Sequence, residues 1–273
     1  MTNPLDRFRL DERVAVVTGG AGLLGREFSR TLAAAGARVV VADVKRAEGE
    51  ALASSLESEG LQAHFYPLDV TDPDSASDMS AWIHDNFKRF DILVNSAALD
   101  PKFDPDHEGE QTSRFEDFPL AGWEQALEVN LTGMFLVSQS AAGLMASAGR
   151  GSIINICSTY GISGPDQRIY QNPGQPERYK PVYYSVTKAG VLGFTRYLAA
   201  YYRETEIRVN ALTPGGVFND HDDAFVEAYS ARTILGRMAR RDEMNGALLF
   251  LASDASSYMT GANLIVDGGW TAW

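Results

Sequence analysis

Three polar residues in the middle of the chain have the types and spacing for acid–base work on an alcohol or carbonyl. Tyr184 and Lys188 stand in the run Tyr184-Ser-Val-Thr-Lys188, where a helical pattern begins. A spacing of four puts both side chains on one helix face, one turn apart. A phenol ionises near pH ~10 and is a poor base at neutral pH. An adjacent ammonium favours the phenolate, so the pair predicts a Tyr184 pKa depressed toward neutrality. Tyr184 would then take or give a proton, with Ser158 at the end of an apolar run hydrogen-bonding the reacting oxygen. Taken alone, a Tyr/Lys pair on a helix is usually surface decoration. Tyr183 is the obvious confounder. It lies five residues from Lys188 and so points elsewhere, as a packing aromatic.

A second feature supplies what such chemistry would act with. The first apolar run, Val14–Thr18, enters the glycine-rich turn Thr18-Gly-Gly-Ala-Gly-Leu-Leu-Gly25 and then a helix. Glycine there permits a tight turn and close backbone approach to a pyrophosphate, and the helix N-terminus adds a positive dipole end. The second run ends in Asp43, eighteen residues after Gly25. A carboxylate at that place accepts hydrogen bonds from the adenosine ribose and repels a 2′-phosphate, which predicts NAD rather than NADP. A bound nicotinamide cation would add to the stabilisation of a Tyr184 phenolate. Lys45 and Arg46 follow Asp43 and read as solvated charges of a first helical turn. Asp69 and Asn95, closing the third and fourth runs, point to adenine-side contacts.

These residues need a scaffold, and the pattern provides one. Val14–Thr18, Arg38–Asp43, Ala63–Val70, Ile92–Ala97, Ser152–Ser158, Arg208–Leu212 and Asn263–Asp267 read as strands. Most lack clean alternation, as strands buried on both faces do. Helical patterns lie between them at Leu24–Ala35, Ala47–Glu59, Pro73–Phe87, Leu120–Ser147, Tyr184–Arg203 and Arg240–Ala252. The alternation predicts an α/β fold: a single Rossmann-like, doubly wound parallel sheet of about seven strands with helices on both faces. No linker or repeat divides residues 1–273, so one domain is expected. Two long polar segments, 99–119 and 162–181, each follow a strand on the expected crevice edge. They read as ordered substrate-side loops.

The totals narrow the partners. A formal net charge of -12 disfavours nucleic acid and anionic membranes. One cysteine, Cys157, excludes an intrachain disulfide and suits a reducing compartment. No signal-like or membrane-spanning run is evident, so a cytoplasmic location is expected. No metal site is expected.

The ordered set TGGAGLLG, Asp43, Asp69, NSAA from Asn95, VNLTG with Asn130, Ser158, YSVTK, the Thr213–Gly216 TPGG turn and the Asp267–Gly269 DGG resembles the short-chain dehydrogenase/reductase superfamily along almost the whole chain. The resemblance implies a catalytic tetrad of Asn130, Ser158, Tyr184 and Lys188. Lys188 would also hold the nicotinamide ribose, and Asn130 would anchor a water relaying protons from Lys188 to solvent. The implied NAD contacts are Thr18, Gly19, Leu24, Gly25, Asp43, Asp69, Val70, Asn95, Ala97, Tyr184, Lys188, Pro214, Gly216, Val217 and Asn219. Three positions depart from the pattern. Leu23 replaces a usual glycine, Ser96-Ala-Ala98 stands where Asn-Ala-Gly is usual, and Asn219 replaces a threonine that binds the carboxamide.

Ser158 and Tyr184 are 26 residues apart, longer than is usual in the family and reminiscent of sugar-nucleotide-modifying relatives. The inserts offer Gln167, Arg168, Arg178 and Lys180 on one side. Asp100, Asp104, Asp106, His107, Glu108 and Glu110 stand on the other. They suit a polyhydroxylated substrate such as a sugar, sugar phosphate or sugar nucleotide, with Ser158, Tyr184, Gln167 and Arg168 as contacts. STYGISGPDQRIY and SSYMTGANLIVDGGWTAW are similar to oxidoreductases of flagellin glycosylation and legionaminic-type sugar pathways. The alternatives are an NAD-retaining sugar dehydratase or epimerase, with Asp166, Glu177 or His107 as an added acid/base, and a non-catalytic dinucleotide sensor. A homodimer or homotetramer is implied by the family. Ala126, Leu127, Ala141, Ala142, Leu192, Leu198 and Ala199 are the apolar surplus on its helices, and the terminal Trp270 and Trp273 either cover a neighbour or enter their own core.

Overall fold

The computed structural model describes residues 3–100, 114–171 and 177–273. Asp104, Asp106, His107, Glu108 and Glu110 lie outside the described residues. Seven parallel strands form one sheet in the order β3-β2-β1-β4-β5-β6-β7. They are β1 Val14–Thr18, β2 Arg38–Asp43, β3 Ala63–Pro67, β4 Ile92–Asn95, β5 Arg150–Ile156, β6 Glu206–Pro214 and β7 Asn263–Val266. The helices are α1 Leu23–Ala34, α2 Arg46–Ser58, α3 Pro73–Phe87, α4 Leu120–Leu127, α5 Met134–Ala148, α6 Val182–Tyr201, α7 Asp223–Ser230 and α8 Asn245–Ala252.

Strands buried on both faces explain the unbroken apolar runs. Ala15, Val17, Val39 and Val41 face a core completed by Phe28 and Leu32 of α1 and Leu248 and Leu251 of α8. Val14, Val16, Val40 and Leu93 face the opposite core with Met79 and Ile83 of α3 and Val137, Ala141 and Met145 of α5. All strands run the same way, so their carboxyl ends share one edge, where ligands bind in this architecture.

Four of the departures from the sequence reading bear on the site or its scaffold. The third strand stops at Pro67 because its partner β2 ends opposite, at Asp43. Asp69 therefore lies in the following turn, where its Oδ1 accepts hydrogen bonds from the Thr71 N–H (2.9 Å) and hydroxyl (2.7 Å). The fifth strand stops at Ile156, and Ser158 instead caps a short 3-10 turn, Thr159–Gly161. The expected helix Leu120–Ser147 is broken by a π-helical turn at Glu128–Gly133. By length and hydropathy Leu120–Ala148 is the one described stretch able to span a membrane, yet α5 supplies the sheet core. α7 is an additional helix, announced by an N-cap: the Asp222 carboxylate accepts from the Phe225 N–H at 2.8 Å.

The apolar surplus is assigned differently from expectation. Ala126, Ala141 and Ala142 are buried within their own chain, and Leu192, Leu198 and Ala199 pack against its cores. The exposed large apolar residues of α4, α5 and α6 are Leu120, Phe135, Val186, Tyr197 and Tyr201. Trp270 is buried, stacked 4.2 Å from Tyr229, whereas Trp273 is 75% exposed.

Candidate active site

A cavity of about 590 Å³ opens along the carboxyl edge. One half is lined by Gly19, Leu23, Leu24, Gly25, Asp43, Asp69, Val70 and Ala97. α1 starts at Leu23 after Gly22, with no side chain capping its first N–H groups, which leaves them free for an anion. Two glycines shape the turn. Gly19 has φ +62, and a Cβ on Gly25 would stand 2.1 Å from the Gly19 carbonyl oxygen. Leu23 is accommodated at the head of the helix without loss of this cradle.

Asp43 is almost wholly buried. Its carboxylate accepts from the Ala21 N–H at 2.9 Å and the Lys45 N–H at 3.0 Å. A carboxylate has about four acceptor sites, so two remain for a ribose diol. Arg46 is turned away, paired with Glu50 and lying over the Phe65 ring. Lys45 lines the cavity. The uncapped helix start, the glycine cradle and Asp43 fit an adenine dinucleotide.

Thr18, Asn95 and Asn130 are buried behind the cavity wall and are absent from its lining. The Thr18 hydroxyl accepts from the Ser96 and Ala97 N–H groups, both at 3.1 Å, and so shapes the loop bearing Ala97. Asn95 donates to Ser138 and Asn155. Asn130, inside the π turn, clasps the Leu99 main chain, accepting from its N–H at 2.6 Å and donating to its carbonyl at 3.2 Å. It also donates to the Thr187 hydroxyl. Pro214, Gly216 and Val217 line the cavity. Asn219 does not: its main-chain N–H donates to His221 and its side chain accepts from Arg241.

Ser158, Tyr184 and Lys188 converge in the other half. α6 begins just after Pro181, so Tyr184 stands in its first turn. Lys188 is buried and donates to the Ile156 carbonyl at 2.9 Å. Tyr183 is buried against Phe118, outside the cavity lining, and its hydroxyl has no partner among the described residues. The electrostatics correct the expected depression. Burial lifts the Tyr184 phenol well above its ordinary range, Asp100 adds to the rise, and the Ser158 side chain opposes it. Burial also lowers the Lys188 ammonium. In the protein alone, desolvation therefore outweighs the lysine.

Tyr160, Tyr170, Phe225, Tyr229 and Met238 wall this half, with Lys180 and His221 as polar members. α7, which sequence reasoning missed, contributes Phe225 and Tyr229. Gln167 and Arg168 do not line the cavity. Gln167 holds the Lys180 main chain, accepting from its N–H at 2.8 Å and donating to its carbonyl at 3.4 Å. The Arg168 side chain is 84% exposed and forks onto Asp166. Asp166 also pairs with Arg232, whose guanidinium lies over Trp270. This ties the second insert to the C-terminal core.

Known proteins agree with this architecture. Residues 20–271 match the family model described as enoyl-(acyl carrier protein) reductase. The chain is 38% identical to a cis-4-hydroxycyclohexanecarboxylate dehydrogenase of Sinomonas cyclohexanicum, covering 96% of this chain and 97% of the relative. It is 33% identical to a D-threitol dehydrogenase of Mycolicibacterium smegmatis, covering 97% and 95%. A gluconate 5-dehydrogenase from Burkholderia cenocepacia, solved with NADP and tartrate, superposes with a TM-score of 0.87 at 32% identity, over 99% of this chain and 100% of that one.

Two expectations follow. Tyr184→Phe removes one hydroxyl and should cut turnover by ~10²–10⁴ while folding is kept; Tyr183→Phe should stay near wild type in the same assay. The reverse result would move the register. The second concerns the insert. Arg168 holds the Asp166 carboxyl down to about 2. A depressed carboxylate lends stability above its ordinary pKa and loses it as pH falls through the folded value. Hydrogen exchange at 166–170 should therefore be protected equally at pH ~7 and ~5 after correction for intrinsic rates, and Asp166→Asn should accelerate it at both.

With the glycine turn, the Asp43 position and the Ser–Tyr–Lys cluster on one sheet edge, and with the match covering residues 20–271, the chain belongs to the short-chain dehydrogenase/reductase family.

Proposed function

We propose that this protein is an NAD(H)-dependent oxidoreductase that interconverts a secondary hydroxyl and a carbonyl on a small polar substrate of sugar type. The observation that carries the reading is Tyr184, Ser158 and Lys188 converging in a cavity continuous with the glycine turn and Asp43. Bound NAD+ would accept the hydride from the hydroxyl-bearing carbon, and in the reverse direction NADH would supply it to the carbonyl. Tyr184 would exchange the proton of the reacting hydroxyl, Ser158 would hold its oxygen, and Lys188 would keep the phenol's ionisation in reach. Asn130 would act from behind the wall by fixing Leu99 and Thr187.

The substrate class rests on the cleft's lining. Tyr160, Tyr170 and Phe225 give the cavity an apolar side suited to a compact ring, and Lys180, Asp100 and His221 suit hydroxyls. Dehydrogenation of threitol and of a hydroxylated cyclohexane acid by relatives is consistent with small hydroxylated substrates. The narrower likeness to flagellin-glycosylation enzymes rests on its two sequence segments alone. Of the acid/base candidates for the NAD-retaining alternative, Asp166 is engaged by two arginines and Glu177 accepts from Tyr179, neither lining the cavity, and His107 lies outside the described residues. The deciding experiment incubates the protein with NAD and a panel of polyols, sugars, sugar phosphates, sugar nucleotides and alicyclic hydroxy acids. NADH should accumulate with at least one, and no turnover across the panel would refute the reading.

Cofactor choice is proposed to be NAD. Asp43 would face a 2′-phosphate with a buried negative charge, so NAD should bind at least about tenfold more tightly than NADP, or about 1.4 kcal/mol, by titration calorimetry. Asp43→Asn should narrow the gap. Assembly is proposed to be a homodimer or homotetramer, with Leu120, Phe135, Tyr197 and Tyr201 as the apolar surface to be covered. Light scattering at micromolar concentration should give at least twice the chain mass of 29.8 kDa.

A further inference from the structure

The ammonium group nearest the Tyr184 ring is not Lys188. Lys180 Nζ lies 3.9 Å from the ring centroid, against 5.8 Å for Lys188. The Lys180 side chain is 13% exposed, and it is paired with Asp100. Asp100 belongs to the first insert and Lys180 to the second, so this ion pair bridges the two beside the phenol. Gln167 fixes the Lys180 main chain through both its N–H and its carbonyl. Asn130 fixes Leu99, the neighbour of Asp100. Both charges are therefore placed by built contacts, and both line the cavity.

We infer that the Asp100–Lys180 pair is an electrostatic regulator of the catalytic tyrosine, in which Lys180 favours the phenolate and Asp100 restrains it. The inference rests on the oxidoreductase reading above and assigns the inserts a positioning role in the proton step. A cation over an aromatic face near a developing phenolate lowers its proton affinity, and a carboxylate raises it. The other groups facing Tyr184 are Lys188 on its own helix, Cys157, Ser158 and Tyr160 after β5, and Tyr170 of the second insert. His221 and Tyr229 line the same cavity. Among the described groups named here, only Asp100 and Lys180 bring opposite charges from the two inserts. The pair is more exposed than Lys188, so substrate hydroxyls entering the cleft can reach it.

The test exploits opposite signs. The pH profile of kcat/KM for alcohol oxidation is measured with NAD and the best substrate of the panel. Lys180→Met should raise the apparent pKa by roughly half a unit or more, and Asp100→Asn should lower it. Lys180→Arg should restore the wild-type profile, which a merely structural role for the side chain would not require. A second readout needs no turnover: the ultraviolet tyrosinate titration of the NAD complex, with Tyr184→Phe subtracted, should show the same ordering. If activity is present and the variants leave the pKa unchanged or move it in the same direction, the inference falls while the oxidoreductase reading stands. If no alcohol is oxidised, the functional reading falls, and the tyrosinate titration still decides whether the pair controls Tyr184.

Discussion

A lysine ammonium held out of water is the constraint on which the rest of the site depends. Burial of an unpaired charge is strongly unfavourable, and Lys188 is buried with a donated hydrogen bond to the Ile156 carbonyl. That carbonyl is at the last residue of β5, so the end of the strand sets the position of the amine. The segment beyond must turn sharply. A Cβ on Gly161 would stand 2.6 Å from both Cys157 Sγ and the Lys188 carbonyl oxygen, so only glycine lets this turn lie against α6. Thr187, beside Lys188, is tied to Asn130 in the π turn. A bulged turn inside an otherwise apolar helix is a common device at functional sites. Here it aims Asn130 at both α6 and Leu99.

The sequence revealed the parts of the site that depend on local periodicity. Tyr184 rather than Tyr183 faces the cavity because helix direction follows from spacing, and Asp43 stands at the crevice edge because it closes a buried strand. The π turn was not legible: Glu128–Gly133 carries an ordinary helical pattern. Its visible tertiary constraint is Gly133, where an added Cβ would meet Val70 Cγ2 at 2.7 Å. α7 was overlooked although Asp222 announced it, because the segment is only eight residues long. Gln167, Arg168 and Asn219 have the right chemistry for a ligand, but each is committed to a protein partner. The Arg168 fork onto Asp166 is a local pair, whereas the Gln167–Lys180 and Asn219–Arg241 bonds join separate segments, which spacing does not encode.

The C-terminal residues help build the Tyr184 half of the cavity through aromatic contacts. Trp270 stacks on Tyr229, and the Tyr229 hydroxyl accepts the Gly216 N–H. Gly216 belongs to the turn that lines the cofactor half, where a Cβ would strike the Tyr229 ring at 2.4 Å. Arg232 spans Trp270 and Asp166, and Trp273 donates its indole N–H to the Arg232 carbonyl. The chain end, α7, the second insert and the turn after β6 thus form one packed unit. The aromatic wall is consequently fixed by the fold, and the Lys180–Asp100 pair ties the second insert to the segment after β4.

On the proposed preference for NAD, cofactor discrimination and backbone shape meet at Asp43. Its carboxylate is not an idle charge waiting for a ribose, since it already holds the N–H groups of Ala21 and Lys45. Those two bonds orient the glycine turn on one side and the start of α2 on the other. They also direct the remaining acceptor sites toward the cavity. Replacing the carboxylate by an apolar side chain would remove the repulsion of a 2′-phosphate and leave both N–H groups unsatisfied, at a cost of about 1–3 kcal/mol for each if it stayed buried. A change of cofactor preference therefore requires a new partner for the turn as well as a new charge. Lys45, already at the cavity wall, supplies a cation beside that position, so what a switch still has to replace is the pair of backbone bonds that Asp43 accepts.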